Sequence, residues 1–346
     1  MPSKSETVFG LQNPDASLEV VLRTLKEAAA PVSGQALAAA LGLTRAAVWK
    51  RINRLKAKGY EISGSPRRGY QLLACPDLLL PAEITQDLKA RYLRGPIHHF
   101  PTVSSTNDLA KDLGRRDAPE GTLVVAEAQS AGRGRLGRGW DSPPGVGLYV
   151  SLLLRPPLPP SDLPQITLTA AVSVARVLRR VAGLAPGIKW PNDLLVQGKK
   201  VGGILTEMET ELDRIRHLVV GLGLNVNNPG FPPPLTDTAT SLALAAGRPF
   251  RRLELLKAWL EEFEELYDRF LARGFPGILE EWKNYTVTLG KEVRVRQGLG
   301  EVQGKALEVA PDGALLVQTR TGEIVRVTSG ELAPGLGEGP EAPGLA

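Results

Sequence analysis

Gly132-Arg133-Gly134-Arg135-Leu136-Gly137-Arg138, running on into Gly139 and Trp140, is the stretch on which the fold turns. With Gly139 it carries four glycines and three arginines, directly after an apolar run. Glycine lets backbone approach a ligand and leaves N–H groups pointing at it, and the arginines add charge and planar forks of donors, so the loop is built to wrap an anion. Gly132, Gly134 and Gly137 also satisfy G-x-G-x-x-G, whose dinucleotide-binding meaning requires a helix to open inside the motif. Here Trp140-Asp141-Ser142-Pro143-Pro144-Gly145-Val146-Gly147 follows instead, and then the apolar run Leu148 to Leu154. Strand, long loop, strand rules out that fold, and no G-x-x-x-x-G-K-[ST] occurs to make a P-loop. A nucleotide or an activated carboxylate suits the loop; taken alone, it also reads as a solvated basic surface loop.

Around it, roughly residues 97 to 275 alternate strands and helices. Strands are expected at Ile97 to Phe100, Thr122 to Ala128, Leu148 to Leu154, Gly187 to Trp190, Leu194 to Val196, Val201 to Met208 and Ile215 to Leu224. Helices are expected at Ser105 to Leu113, Gln165 to Val181, Ser241 to Ala246 and Leu253 to Ala272. Turns as short as Gln197-Gly198-Lys199-Lys200 make the sheet mixed or antiparallel, which is the α+β class. From Val287 to about Leu332, four short alternating strands, broken by Gly298 to Gly300, Pro311-Asp312-Gly313 and Thr321-Gly322, suggest a small SH3-like barrel.

Toward the N-terminus, Leu18, Val21, Leu22 and Leu25 recur at i, i+3, i+4 and i+7, a helix stripe with Ser17 as expected cap and Pro31 near its end. A short helix after Ser33 runs to Gly42, and a third begins at Thr44 with Val48, Ile52 and Leu55 on one face. Its other face is basic: Arg45, Lys50, Arg51, Arg54, Lys56 and Lys58. A hairpin follows, Tyr60 to Ser63 and Tyr70 to Leu73, with Arg67 and Arg68 at its tip. This is the pattern of a winged helix-turn-helix. A basic face is usually only solvated, but its place between a helix-turn-helix turn and a wing points to DNA, with Arg45, Ala46 and Trp49 near base edges, Lys50 and Arg51 beside them, and Arg67 and Arg68 on phosphates. Pro81 to Arg91 is expected as a linking helix; residues 1–16 and 334–346 are expected to be flexible.

Composition narrows the classes. The chain has 346 residues, 42% of them hydrophobic, enough for two or three cores. No run of about 18 apolar residues and no leader-like N-terminus is present, so membrane insertion and secretion are not expected and the cytoplasm is. One cysteine, Cys75, leaves no internal disulfide or cysteine-clustered zinc. Three histidines leave little for a metal site or a catalytic triad, and the pair His98-His99 is expected on a strand edge.

Polar residues gather at the ends of the predicted strands. Ser104-Ser105-Thr106-Asn107 opens a helix, where free N–H groups and the positive dipole end receive an anion or carbonyl; Thr106 and Asn107 read equally as capping residues. Gln129 ends the strand before the loop. Lys189-Trp190-Pro191-Asn192-Asp193 ends another, and Gly221-Leu222-Gly223-Leu224-Asn225-Val226-Asn227 a third.

The glycine-arginine run with Trp140, then Lys189 to Asp193, Lys200-Val201-Gly202-Gly203-Ile204-Leu205, and Gly221 to Asn225, in this order, resemble bacterial biotin protein ligases. The N-terminal winged helix makes the likeness one to the bifunctional kind, which also represses biotin synthesis and uptake genes. It covers about residues 17 to 332 and implies three domains: 17–75 winged helix-turn-helix, 81–285 catalytic, 286–333 SH3-like.

The resemblance implies that biotin and ATP are joined as biotinyl-5'-AMP, and that biotin then passes to a lysine of a biotin carboxyl carrier protein. Lys189, Arg133 and Arg135 would be catalytic, neutralising two anions. Ser105, Thr106, Asn107, Gln129, Gly134, Gly202, Gly203, Gly221 and Gly223 would join them around biotin, and Arg138, Trp140, Asn192 and Asn225 around the adenylate. Mg2+ would come on ATP's phosphates, with Asp193 as the one candidate ligand. Operator DNA, and a homodimer favoured by biotinyl-AMP, are implied partners. Leu136 stands where some members carry another arginine. A lipoate protein ligase, and a sensor that binds biotin without turnover, are the alternatives.

Overall fold

The computed structural model describes residues 16–65, 68–91, 93–297 and 300–333. The chain divides between Leu78 and Leu79 into two compact units.

In the first unit α1 (Ala16–Glu27) buries Leu18, Val21, Leu22 and Leu25. Ser17 therefore lies inside the helix and not at its cap: the apolar stripe marks where burial begins, not where the backbone begins to coil. α2 (Gly34–Ala40) is capped by Ser33, whose Oγ accepts from the Ala36 amide at 3.0 Å, and α3 (Arg45–Ala57) by Thr44, whose Oγ1 accepts from Ala47 at 3.1 Å. Between them Gly42 takes φ +61°, the left-handed conformation of a tight turn. Val48, Ile52 and Leu55 of α3 are buried, while Arg45, Ala46, Lys50, Arg54 and Lys56 are exposed.

β1 (Glu61–Ser65) and β2 (Gly69–Ala74) form the antiparallel wing. Val32 adds a bridge that the periodicity does not announce, exchanging two 2.8 Å backbone hydrogen bonds with Tyr70. Gly69 permits it: φ is +83° and a Cβ there would lie 2.3 Å from the Val32 carbonyl oxygen. Arg68 is exposed; Arg67 lies outside the described residues.

In the second unit α4 is only Pro81–Thr85, not the longer linking helix expected through Arg91. Asp87 turns left-handed (φ +56°), and the amides beyond it are taken by carboxylates of a later helix: Lys89 donates to Glu261 at 3.0 Å, and Arg91 and Leu93 to the buried Glu264 at 2.6 and 2.9 Å. Amides committed to side chains cannot continue a helix.

β3 (Ile97–Phe100), α5 (Thr106–Arg115), β4 (Leu123–Ala126), β5 (Gly147–Leu154), α6 (Leu163–Val177), β6 (Pro186–Lys189), β7 (Asp193–Val196), β8 (Lys199–Glu211), β9 (Arg214–Asn225), α7 (Leu242–Ala246), α8 (Arg252–Arg273) and α9 (Pro276–Lys283) follow. The seven strands make one mixed sheet in the order β3-β4-β5-β9-β8-β7-β6, parallel only between β3 and β4. His98 and His99 lie on its edge strand, as their pairing in the sequence suggested. α9 escaped the sequence reading, since Pro276 and Gly277 open it.

Strand alternation sorts the sheet into two faces. Leu148, Val150, Leu152 and Leu154 of β5 join the large core with α6 and α8, where Trp259, Phe263 and Tyr267 stack in sequence. Leu153 of β5, Val124 and Val219 instead pack against Ala110 of α5. This smaller face carries the candidate site.

The final sheet holds β10 (Glu292–Gln297), β11 (Gly300–Val309), β12 (Leu315–Thr319), β13 (Ile324–Val327) and β14 (Glu331–Leu332), in the antiparallel order β13-β12-β11-β10-β14. It has five strands where four were expected, because β14 is two residues long and shows no alternation. Of the expected break at Gly298 to Gly300, Gly298 and Leu299 lie outside the described residues. No helix among the described residues is long and apolar enough to cross a membrane.

Candidate active site

Ser105 caps α5, its Oγ accepting from the Asp108 amide at 3.4 Å, so Thr106 and Asn107 are not the cap. Their side chains, both buried, instead turn to the sheet. The Thr106 amide and hydroxyl donate to Gln129 Oε1 at 2.9 and 3.1 Å, and Gln129 Nε2 donates to Ser142 Oγ at 3.0 Å. Ser151 Oγ lies 2.6 Å from Asn107 Oδ1 and 2.8 Å from Thr106 Oγ1. Asn107 Nδ2 donates to the Leu205 carbonyl at 3.1 Å and to Glu207 at 2.8 Å. The amide and hydroxyl groups are thereby held in fixed directions.

Beside them the strands are bare. A Cβ on Gly221 would lie 2.1 Å from Asn107 Oδ1, and one on Gly223 2.6 Å from the Trp140 indole. On β8, Gly203 pairs across to Gly223, and a Cβ on Gly202 would press on the Gly223 carbonyl at 3.0 Å. Glycine here makes room for Asn107 and Trp140, the groups over the sheet.

The glycine-arginine loop closes on itself. Arg133 bridges to Gly139, the Trp140 amide donates to the Gly132 carbonyl at 2.8 Å and Gly134 to Arg138 at 2.7 Å. A short 3-10 turn, Arg135–Gly137, puts Leu136 at φ +55° and leaves it 72% exposed.

Each loop arginine is engaged. Arg133 pairs with Asp108 and, at 3.3 Å, with Glu207, which also takes Lys111 at 2.7 Å. Burial alone would raise the Glu207 carboxyl, but Lys111, Asn107 and Arg133 together hold it below its ordinary range. Arg135 donates to Asn192 Oδ1 at 3.2 Å and to the Gly330 carbonyl at 3.0 Å, and Arg138 pairs with Glu331. Burial lowers the Arg135 pKa against the pull of Asp193 and Glu331.

Lys189, at the end of β6, differs. Its ammonium has no hydrogen-bond or ion-pair partner among the described residues. Asn192 ties the following turn to β8 through its Nδ2 and the Ile204 carbonyl at 2.8 Å, and Asp193 pairs with Lys200 at 2.7 Å. The Lys200 ammonium in turn lies 5.5 Å from the centre of the Trp140 ring. Asn225 is buried and donates to the Thr240 carbonyl at 3.1 Å, holding the segment before α7.

Asp108, Lys111, Ser142, Ser151, Lys200, Glu207 and Glu331 were not singled out from the sequence. Ser151 carried a signal, the one serine in the apolar Gly147–Leu154 run; the charged residues carried none. In the first unit Trp49 is 57% exposed on α3 beside Arg45 and Lys50, while half-buried Arg51 donates back to the Ala47 carbonyl at 3.2 Å.

Residues 99–225 match the biotin/lipoate A/B protein ligase family, residues 18–71 a helix-turn-helix domain, and residues 288–332 the biotin protein ligase C-terminal domain. The chain is 42% identical over 306 residues to the bifunctional ligase/repressor BirA of Bacillus subtilis, covering 88% of this chain and 94% of that one. To the Escherichia coli protein of the same name it is 30% identical, covering 83% and 88%. Biotin protein ligase from Aquifex aeolicus, solved with biotin and ATP, superposes with a TM-score of 0.59 at 34% identity over 69% of this chain and 97% of that one.

A helix-turn-helix unit joined to this glycine-lined sheet defines a carboxylate-activating protein ligase that carries a DNA-binding head. The chain belongs to the family of bifunctional biotin protein ligases and repressors.

Proposed function

We propose that the chain condenses biotin with ATP, transfers the biotinyl group to a lysine of a biotin carboxyl carrier protein, and binds operator DNA of biotin genes. The observation that carries the catalytic half is Lys189: a cation at a strand end with no partner among the described residues, beside a loop whose arginines are held by partners. An unpaired ammonium is free to take two anions.

In the first step a biotin carboxylate oxygen attacks the α-phosphorus of ATP, the bond to the β-phosphate breaks and pyrophosphate leaves. Lys189 bridges carboxylate and α-phosphate; Arg133, Arg135 and the loop amides, Gly134 among them, hold the charge that develops. Ser105, Thr106, Asn107 and Gln129 orient the biotin ring, with Gly202, Gly203, Gly221 and Gly223 beneath it. Arg138, Trp140, Asn192 and Asn225 form the adenylate side. In the second step a carrier lysine amine attacks the anhydride carbonyl, a C–N bond forms, and AMP leaves as the amine sheds its proton.

Among the described residues no group of three or more carboxylates, histidines or cysteines stands ready for a metal. Mg2+ fits instead as a companion of ATP's phosphate oxygens, with Asp193 as its candidate protein ligand. We assign the reaction to the cytoplasm.

Working extents of 17–75, 81–285 and 286–333 follow for the DNA-binding, catalytic and SH3-like domains. Arg45, Ala46, Trp49, Lys50 and Arg51, with the wing arginines, would meet DNA. One winged helix makes few base contacts, so a homodimer on a pseudo-palindrome is required. β3, with no strand on its outer side among the described residues, offers an edge for it. We assign the dimer to the biotinyl-AMP-bound state.

The test is to mix the protein with ATP, Mg2+, a biotin-accepting carrier domain and either biotin or lipoate, and to weigh the carrier. Addition of one biotinyl group only with biotin supports this reading; addition of lipoyl, or no addition, overturns it.

A further inference from the structure

The end of β6 that presents Lys189 is not held by the sheet alone. Ile188 donates to the Tyr285 carbonyl at 2.8 Å and accepts from the Val287 amide at 3.0 Å, forming a parallel bridge on the outer side of β6. On the other side of Lys189, the Trp190 amide donates to Thr288 Oγ1 at 2.9 Å, and the Trp190 indole N–H to the Gly313 carbonyl at 3.1 Å. Both neighbours of Lys189 are thus bonded to residues at or beyond 285. Trp190 is 2% exposed and Thr288 3%, so water cannot replace these bonds.

Thr288 is itself fixed. Its amide donates to Thr286 Oγ1 at 3.2 Å and its carbonyl accepts from Lys291 at 3.3 Å. It is also the first residue matching the biotin protein ligase C-terminal domain. The Thr288 hydroxyl therefore ties the start of that domain directly to the backbone amide next to Lys189, beside the indole bond to Gly313.

We propose that Thr288 is a positioning residue for Lys189, and that the C-terminal domain serves adenylate formation by fixing the angle at which β6 delivers that lysine. This rests on the biotin ligase reading. Thr288 touches no substrate; it acts through the Trp190 amide. A misplaced charge weakens stabilisation of the transition state more than binding of either substrate alone, so the effect falls on turnover.

The experiment compares wild type, Thr288→Val and Thr288→Ser in the full chain. Pyrophosphate released in the first turnover with biotin, ATP and Mg2+ counts competent sites, and steady-state pyrophosphate exchange gives kcat and KM. With valine we expect kcat per competent site to fall roughly tenfold or more while KM for biotin changes less than about twofold, and with serine, which keeps the acceptor oxygen, kcat to recover. Loss of competent sites with an unchanged kcat in those remaining would make Thr288 a stability residue only and overturn the proposal. So would equal losses in valine and serine. Absence of biotin-dependent exchange in wild type would instead remove the ligase reading.

Discussion

Gly221 lies so close under Asn107 that a Cβ on it would stand 2.1 Å from the Asn107 Oδ1. Asn107 cannot simply swing away, because Ser151 lies 2.6 Å from that oxygen and the Leu205 carbonyl and Glu207 hold its amide nitrogen. The cost of alanine here is overpacking of about 1–3 kcal/mol, delivered directly to a residue we place against biotin. Gly221→Ala should lower the urea midpoint and raise KM for biotin at least several-fold, with KM for ATP changing less. Equal KM values in mutant and wild type would show that Asn107 does not orient biotin.

Acid should weaken the second unit through Glu127. Burial pushes this carboxyl up, but the hydrogen bond with His99 and the charge and hydrogen bond of Arg252, with the Leu79 amide, outweigh it and hold it at about 2. A carboxyl depressed from 4.5 in the unfolded chain to about 2 in the folded one adds stability that is complete above 4.5 and is lost as pH falls toward 2. With its side chain 12% exposed, this amounts to about 3 kcal/mol. Urea midpoints between about pH 5 and pH 2 should fall steeply in wild type, and less in a double variant Glu127→Gln, Arg252→Met. The same acid slope in both would place the effect elsewhere.

Lys50 is exposed on α3, and in the proposed DNA-binding role it would meet phosphates and not biotin. Replacing it by alanine should weaken binding to operator and non-operator DNA alike and flatten the slope of log K against log salt by about 1. Biotin transfer should be unchanged. A loss confined to one operator base pair would instead make Lys50 a base-reading residue.

Much of this fold was legible because its core strands are short apolar runs bounded by glycine, proline and charged residues. Ile97–Phe100 and the buried run through Leu154 fall within a residue of where their side chains put them. The misses came where tertiary contacts override local pattern: α4 stops early because Glu261 and Glu264 take the amides that a helix would need, and β14 exists only as a partner of Val295 and Arg296. At the site, the glycines and Lys189 stood out because they belong to motifs whose order resembles that of biotin protein ligases. Glu207 and Asp108 did not, since a carboxylate on a strand or in a helix's first turn looks like solvated surface until Arg133 is seen beside it. Thr288 was hidden for a similar reason: its partner, the Trp190 amide, lies 98 residues away in sequence.

Under the proposed function, Lys189 neutralises the two anions joined in the first step. Isotope exchange between pyrophosphate and ATP, measured with and without biotin, reads that step alone. Wild type should exchange only when biotin is present, and Lys189→Ala, folded as judged by an unchanged urea midpoint, should lose about 2.7–4 kcal/mol of barrier lowering, roughly a hundred- to a thousandfold in rate. Near-normal biotin-dependent exchange in Lys189→Ala would contradict the account.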